Sequence, residues 1–100
     1  MLNIEAKGPG VVALTGRLDA AESARAQAAL DAVDAVDGIV NLDCTGLEYI
    51  SSAGLGVLLK TQKRLLAANS KLRLTSVSRH LQDIFKYSGF DQIIEIEPLR

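Results

Sequence analysis

Between residues 39 and 66 two different hydrophobic periods meet, and that junction limits the folds open to the chain. Ile39-Val40-Asn41-Leu42 is a compact apolar run of the kind that makes a buried central strand, with Asp43 at its carboxyl end. Leu55, Leu58, Leu59, Leu65 and Leu66 then recur at helical spacing. Thr45-Gly46 reads as the turn out of the strand. The helix should begin at Ser51-Ser52, where a serine hydroxyl can cap an unpaired backbone N–H. Gly54 and Gly56 fall in its first turn, where each costs about 1 kcal/mol relative to alanine. They leave a nearly side-chain-free surface beside the serines, which suits close approach by another molecule.

The flanking segments repeat the alternation. Leu2 to Ala6 and Val11 to Thr15 are β-like runs separated by Gly8-Pro9-Gly10, a hairpin signal. Asp19 precedes Glu22 at capping-box spacing, and a helix follows from Ala21 to about Val36, with Ala26, Ala29, Leu30 and Val33 on one face and Gly38 as its stop. Asn69 is a left-handed stop for the second helix, and Leu72 to Val77 alternates as a strand. Ser78 caps a third helix with Leu81, Ile84 and Phe85 inward and Gly89 at its end. Ile93 to Ile96 is the last strand, closed by Pro98. The order β-β-α-β-α-β-α-β predicts a single small α/β domain over residues 1–100, with a mixed, mostly parallel sheet. Sites in such sheets gather outside the carboxyl ends of the strands.

Composition narrows the function. A net charge of −1, with two Phe and two Tyr, implies neither a basic face nor an aromatic platform, so nucleic acid is not an expected partner. No apolar run approaches the length of a membrane span, and Met1-Leu2-Asn3-Ile4-Glu5 lacks the features of a signal peptide. The single cysteine, Cys44, can form no internal disulfide, and a cytoplasmic location is expected. His80 has no partner at metal-ligand spacing. Gly54 to Lys60-Thr61 has the spacing of a phosphate-binding loop, but Leu59 replaces its second glycine, and no Gly-x-Ser-x-Gly elbow occurs. Neither catalysis nor a cofactor is expected; weak nucleotide binding at the strand ends stays open. A phosphoaspartate receiver built on Asp43 would need acids after the first strand, and Val11 to Gly16 ends without them.

Three ordered stretches carry a resemblance. Leu14-Thr15-Gly16-Arg17-Leu18-Asp19, Asn41-Leu42-Asp43-Cys44-Thr45-Gly46-Leu47 and Tyr49-Ile50-Ser51-Ser52-Ala53-Gly54-Leu55-Gly56-Val57-Leu58-Leu59 resemble the STAS domain, in particular the stand-alone bacterial anti-sigma factor antagonists. Phe85-Lys86-Tyr87-Ser88-Gly89-Phe90 continues the likeness. It implies that the unmodified protein binds an anti-sigma factor that is also a serine kinase, so freeing the sigma factor. Phosphorylation of a loop serine ends that binding, and a serine phosphatase restores it. The motif places the modified serine at Ser52, with Ser51, where relatives often have aspartate, as a competing acceptor. It implies a partner surface of Asp19, Asp43, Thr45, Ser51, Ala53, Gly54 and Gly56. The final helix of longer relatives is expected to be missing or a stub.

Each of these residues also has a plainer role. Ser52 can be only a helix cap, Asp19 likewise, and Asp43 and Thr45 can simply satisfy local backbone. Cys44 fits as a small filler, and Lys60, Lys63 and Arg64 as a solvated face. The alternative function is a constitutive STAS-type scaffold or regulatory subunit that binds its partner without phosphorylation.

Overall fold

A computed structural model describes residues 1–99. β1 (Leu2–Gly8) and β2 (Val11–Leu18) form the expected antiparallel hairpin, with Gly10 at φ +70° in its turn. A 3-10 turn (Ala20–Glu22) and α1 (Ser23–Asp31) lead to β3 (Ile39–Ile50), followed by α2 (Ser52–Ala67), β4 (Lys71–Val77), α3 (Arg79–Ser88) and β5 (Glu95–Pro98). The sheet is ordered β1-β2-β3-β4-β5, and β2 through β5 pair in parallel.

That sequential order decides where the core lies. Each crossover steps to the next strand in the same direction, so connections of one hand put α1, α2 and α3 on the same face. On that face Val40, Leu42 and Cys44 of β3 are buried with Leu72 and Leu74 of β4, under Leu30, Leu58, Leu81 and Phe85. The intervening residues Asn41, Asp43, Arg73 and Thr75 line the uncovered face in register with one another (Asn41 opposite Arg73, Asp43 opposite Thr75). Because the strand order never reverses, the topology creates no switch-point crevice of the kind that holds nucleotides.

Several boundaries differ from the sequence reading. α1 ends at Asp31 instead of about Val36. Residues 36–39 form a tight two-residue hairpin instead, in which Asp37 (φ +52°) and Gly38 (φ +78°) both take left-handed backbone. β3 does not turn out at Thr45-Gly46. It bulges there, with Ala13 opposite Asp43 but Thr15 opposite Gly46, and then runs on beside β2 to Ile50. Ile93 and Ile94 precede β5 instead of opening it.

The buried stripe of α2 is also rotated from the leucine pattern. Gly54, Val57, Leu58, Thr61, Gln62 and Leu65 are buried, Leu55 and Leu59 half-buried, and Leu66 is 54% exposed. Two polar residues can sit in that stripe because each is satisfied. The Thr61 hydroxyl donates to Val57 O (2.8 Å). Gln62 accepts from Leu72 N–H (2.7 Å) and donates to Ile93 O (2.8 Å), tying α2 to β4 and to the entry of β5.

Candidate functional site

The β2–β3 ladder ends on the rung joining Leu18 to Ile50, and Ser51 N–H donates to Leu18 O (3.0 Å) as the chain turns into α2. Ser51 is the cap: its backbone is extended, its Oγ accepts from Gly54 N–H (3.2 Å), and its carbonyl accepts from Leu55 N–H (2.9 Å). Ser52 is the first helical residue. Its side chain is exposed and its hydroxyl takes part in no hydrogen bond among the described residues. The capping role expected for either serine therefore belongs to Ser51, which leaves Ser52 available.

The two glycines separate as sharply. A Cβ on Gly54 would lie 2.7 Å from both Leu18 O and Ile50 Cγ1, whereas a Cβ on Gly56 would meet nothing within 4 Å. Gly54 is buried, so it shapes the surface only by letting the helix sit close to the strand ends; this corrects its reading as a contact residue. Gly56 and Ala53, both half-buried, line a shallow groove of about 690 Å³ between α2 and α1, with Lys60 on one wall and Ala24, Gln27 and Ala28 on the other. Gln27 donates to Thr61 Oγ1 (3.1 Å) across the groove floor.

Asp19 adjoins this region. Its Oδ1 accepts from Glu22 N–H (3.3 Å) and caps the 3-10 turn that packs beside α2. The capping box is not reciprocal, since the Glu22 carboxylate pairs with Arg25 (2.7 Å).

Asp43 and Thr45 lie elsewhere, on the open face of the sheet and well short of the end of β3. Asp43 Oδ1 accepts from the Thr45 hydroxyl (2.6 Å) and the Thr45 N–H (3.0 Å). Those two bonds, helped by the charge of Lys7, hold the Asp43 carboxyl below the usual aspartate value. The fold therefore brings together Ser51, Ser52, Ala53, Gly56 and the Asp19 turn, and leaves Asp43 and Thr45 around the edge on another face. Cys44 is 1% exposed, and burial, with the Asp43 charge second, pushes its thiol up to about 12, so it is inert. One contact near the strand ends escaped the sequence reading. The Arg17 guanidinium lies 4.2 Å from the Tyr49 ring centroid on the rung just before Leu18–Ile50. Nothing in a one-dimensional pattern pairs residues so far apart.

Comparison with known proteins agrees with this architecture. The family model described as Mlab, STAS domain matches residues 4–96. The anti-sigma-B factor antagonist of Listeria monocytogenes is 34% identical over 85 residues, covering 84% of this chain and 75% of that protein. Among solved structures, the phosphorylated form of the Bacillus cell fate determinant SpoIIAA superposes with a TM-score of 0.67 at 19% identity. It covers 96% of this chain and 90% of its own. A sulfate transporter family protein from Wolinella succinogenes gives 0.76 at 18% identity, over 93% and 80%. With the model match spanning nearly the whole chain, and the hairpin, crossovers and serine-capped second helix all in place, the protein belongs to the STAS domain family.

Proposed function

We propose that this chain is an anti-sigma factor antagonist that works by partner switching. In the unmodified state it binds an anti-sigma factor that is also a serine kinase, which releases the sigma factor. Phosphate on Ser52 ends the binding, and a serine phosphatase restores it. The observation that carries this reading is the division of labour between the serines: Ser51 is spent on the cap, and Ser52 offers a free, exposed hydroxyl one residue later. The antagonist from Listeria, a relative over most of the chain, supports it. The partner surface is Ser52, Ala53 and Gly56 with the Asp19 turn, and Asp43 and Thr45 belong to it only if the partner wraps onto the open sheet face. Kinase, phosphatase and sigma factor place this cycle in the cytoplasm.

The energetics fit a switch that spares the fold. A phosphate at a helix N-terminus is favoured locally by about 0.3–1 kcal/mol. The same group adds about −1.5 to −2 charges to a surface the partner must desolvate. Desolvating that phosphate against the partner costs several kcal/mol, more than the local gain.

The test pairs substitutions with the cognate kinase. Ser52→Ala should bind the anti-sigma factor and take no phosphate, Ser52→Asp should bind weakly, and Ser51→Ala should still be phosphorylated. Phosphate on Ser52→Ala, or wild-type affinity in Ser52→Asp, overturns the assignment. The second reading is a constitutive regulatory subunit, favoured by the same fold in a sulfate transporter family protein. In that case Ser52 is never modified and Ser52→Asp leaves binding intact.

A further inference from the structure

One rung before the β2–β3 ladder ends lies a cation that the cycle above does not use. Arg25, Arg64 and Arg73 each hold a carboxylate, on Glu22, Asp31 and Glu95. Arg17 is exposed and holds no carboxylate among the described residues; only the Tyr49 ring, at 4.2 Å, positions its guanidinium. A cation–π contact at an exposed site is weak and readily exchanged. The next rung, Leu18 with Ile50, is the last of the ladder, and Ser51 then starts the turn. Ser52 is three residues beyond Tyr49, at most about 10–11 Å of fully extended chain. An arginine side chain and a phosphate bridge that span together.

We propose that Arg17 is the counter-ion of phosphorylated Ser52. On modification the guanidinium leaves the Tyr49 ring and pairs with the phosphate, the bidentate geometry that arginine and phosphate favour. The inference rests on the reading of Ser52 as the modified residue. The acids nearest in sequence do not take Arg17 first: Asp19 is engaged with Glu22 N–H, and Glu48 is exposed on the position before Tyr49 without pairing to it. The pairing would hold the phosphate dianionic at neutral pH, its second ionisation otherwise lying near 6, and so make the change of surface charge complete.

The experiment places phosphoserine at residue 52 by directed incorporation, without any kinase, and follows its second ionisation by 31P NMR. Phosphorylated wild type should titrate lower than phosphorylated Arg17→Ala by roughly half a unit or more. Arg17→Lys should fall between them, because lysine keeps the charge and loses the fork. Tyr49 ring resonances should move on phosphorylation when Arg17 is present and stay put in Arg17→Ala. Equal titration in wild type and Arg17→Ala overturns the proposal. So does lost affinity of unphosphorylated Arg17→Ala for the anti-sigma factor with an unchanged titration, since Arg17 would then act on the partner. A kinase that ignores Ser52 is a separate result; it strikes the switch assignment and leaves the pairing measurable.

Discussion

Gly54 rests directly against the carbonyl of Leu18: a Cβ on residue 54 would stand 2.7 Å from that oxygen. The glycine sits in the first turn of α2, and the carbonyl is the one that holds Ser51 N–H. The absence of a side chain therefore seats the start of the helix against the ends of β2 and β3.

The two glycines near the start of α2 should respond oppositely to alanine. Gly54→Ala gains helix propensity of about 1 kcal/mol but must displace a backbone carbonyl, an overpacking cost of about 1–3 kcal/mol, so it should be net destabilising. Gly56→Ala meets open space and should stabilise by about 0.5–1 kcal/mol. Denaturant melts of the pair decide; a stabilised Gly54→Ala means the helix does not sit this close. Gly56→Arg, at a position with room, is the variant that probes the partner surface.

The serines should separate in the same way. Ser51→Ala loses the bond to Gly54 N–H and should cost about 1 kcal/mol. Ser52→Ala should change stability by less than about 0.5 kcal/mol. Equal losses in thermal melts would mean that both hydroxyls serve the helix.

Leu58 and Leu66 share one leucine pattern but not one environment. Leu58 is 0% exposed and Leu66 54%. Leu58→Ala should cost about 2–5 kcal/mol, whereas Leu66→Ala should cost less than about 0.5 kcal/mol. Comparable losses would move the helix face back towards the leucines.

Asp43 should contribute to acid sensitivity. Its folded pKa is lowered below the ordinary 3.8, chiefly by the Thr45 hydroxyl. A lowered carboxylate stabilises the fold above the unfolded value and loses that contribution as pH falls through the folded one. Thr45→Val should therefore raise the Asp43 pKa in an NMR titration. Its stability deficit relative to wild type should be full at neutral pH and shrink below about pH 4. A deficit that does not vary with pH means the hydroxyl bond is not coupled to the charge.

The Cys44 thiol, at about 12 and buried, should resist alkylation at mildly alkaline pH until the protein opens. Its labelling rate should rise with denaturant in step with unfolding; fast labelling of the native state contradicts the burial.

Local chemistry made much of this legible in the sequence. Ser78 and Gly89 cap α3 at the positions read for them, Asn69 takes left-handed backbone after α2, and the alternation of elements gave the mixed sheet. These are choices of backbone conformation made within a few residues, where side-chain type is enough. The course of β3 was not legible, because its two bulges against β2 space the buried residues Cys44, Leu47 and Ile50 by three. That spacing hides the two-residue period of a strand, and a bulge exists only in relation to the neighbouring strand.

The same distinction divides the site. Motif and capping chemistry located the serine pair by sequence alone. Which serine caps and which is free, which glycine is packed and which open, and that Arg17 lies over Tyr49 were decided by the tertiary structure. Each depends on where β2 ends beside β3, a contact between residues more than thirty positions apart that no local period records.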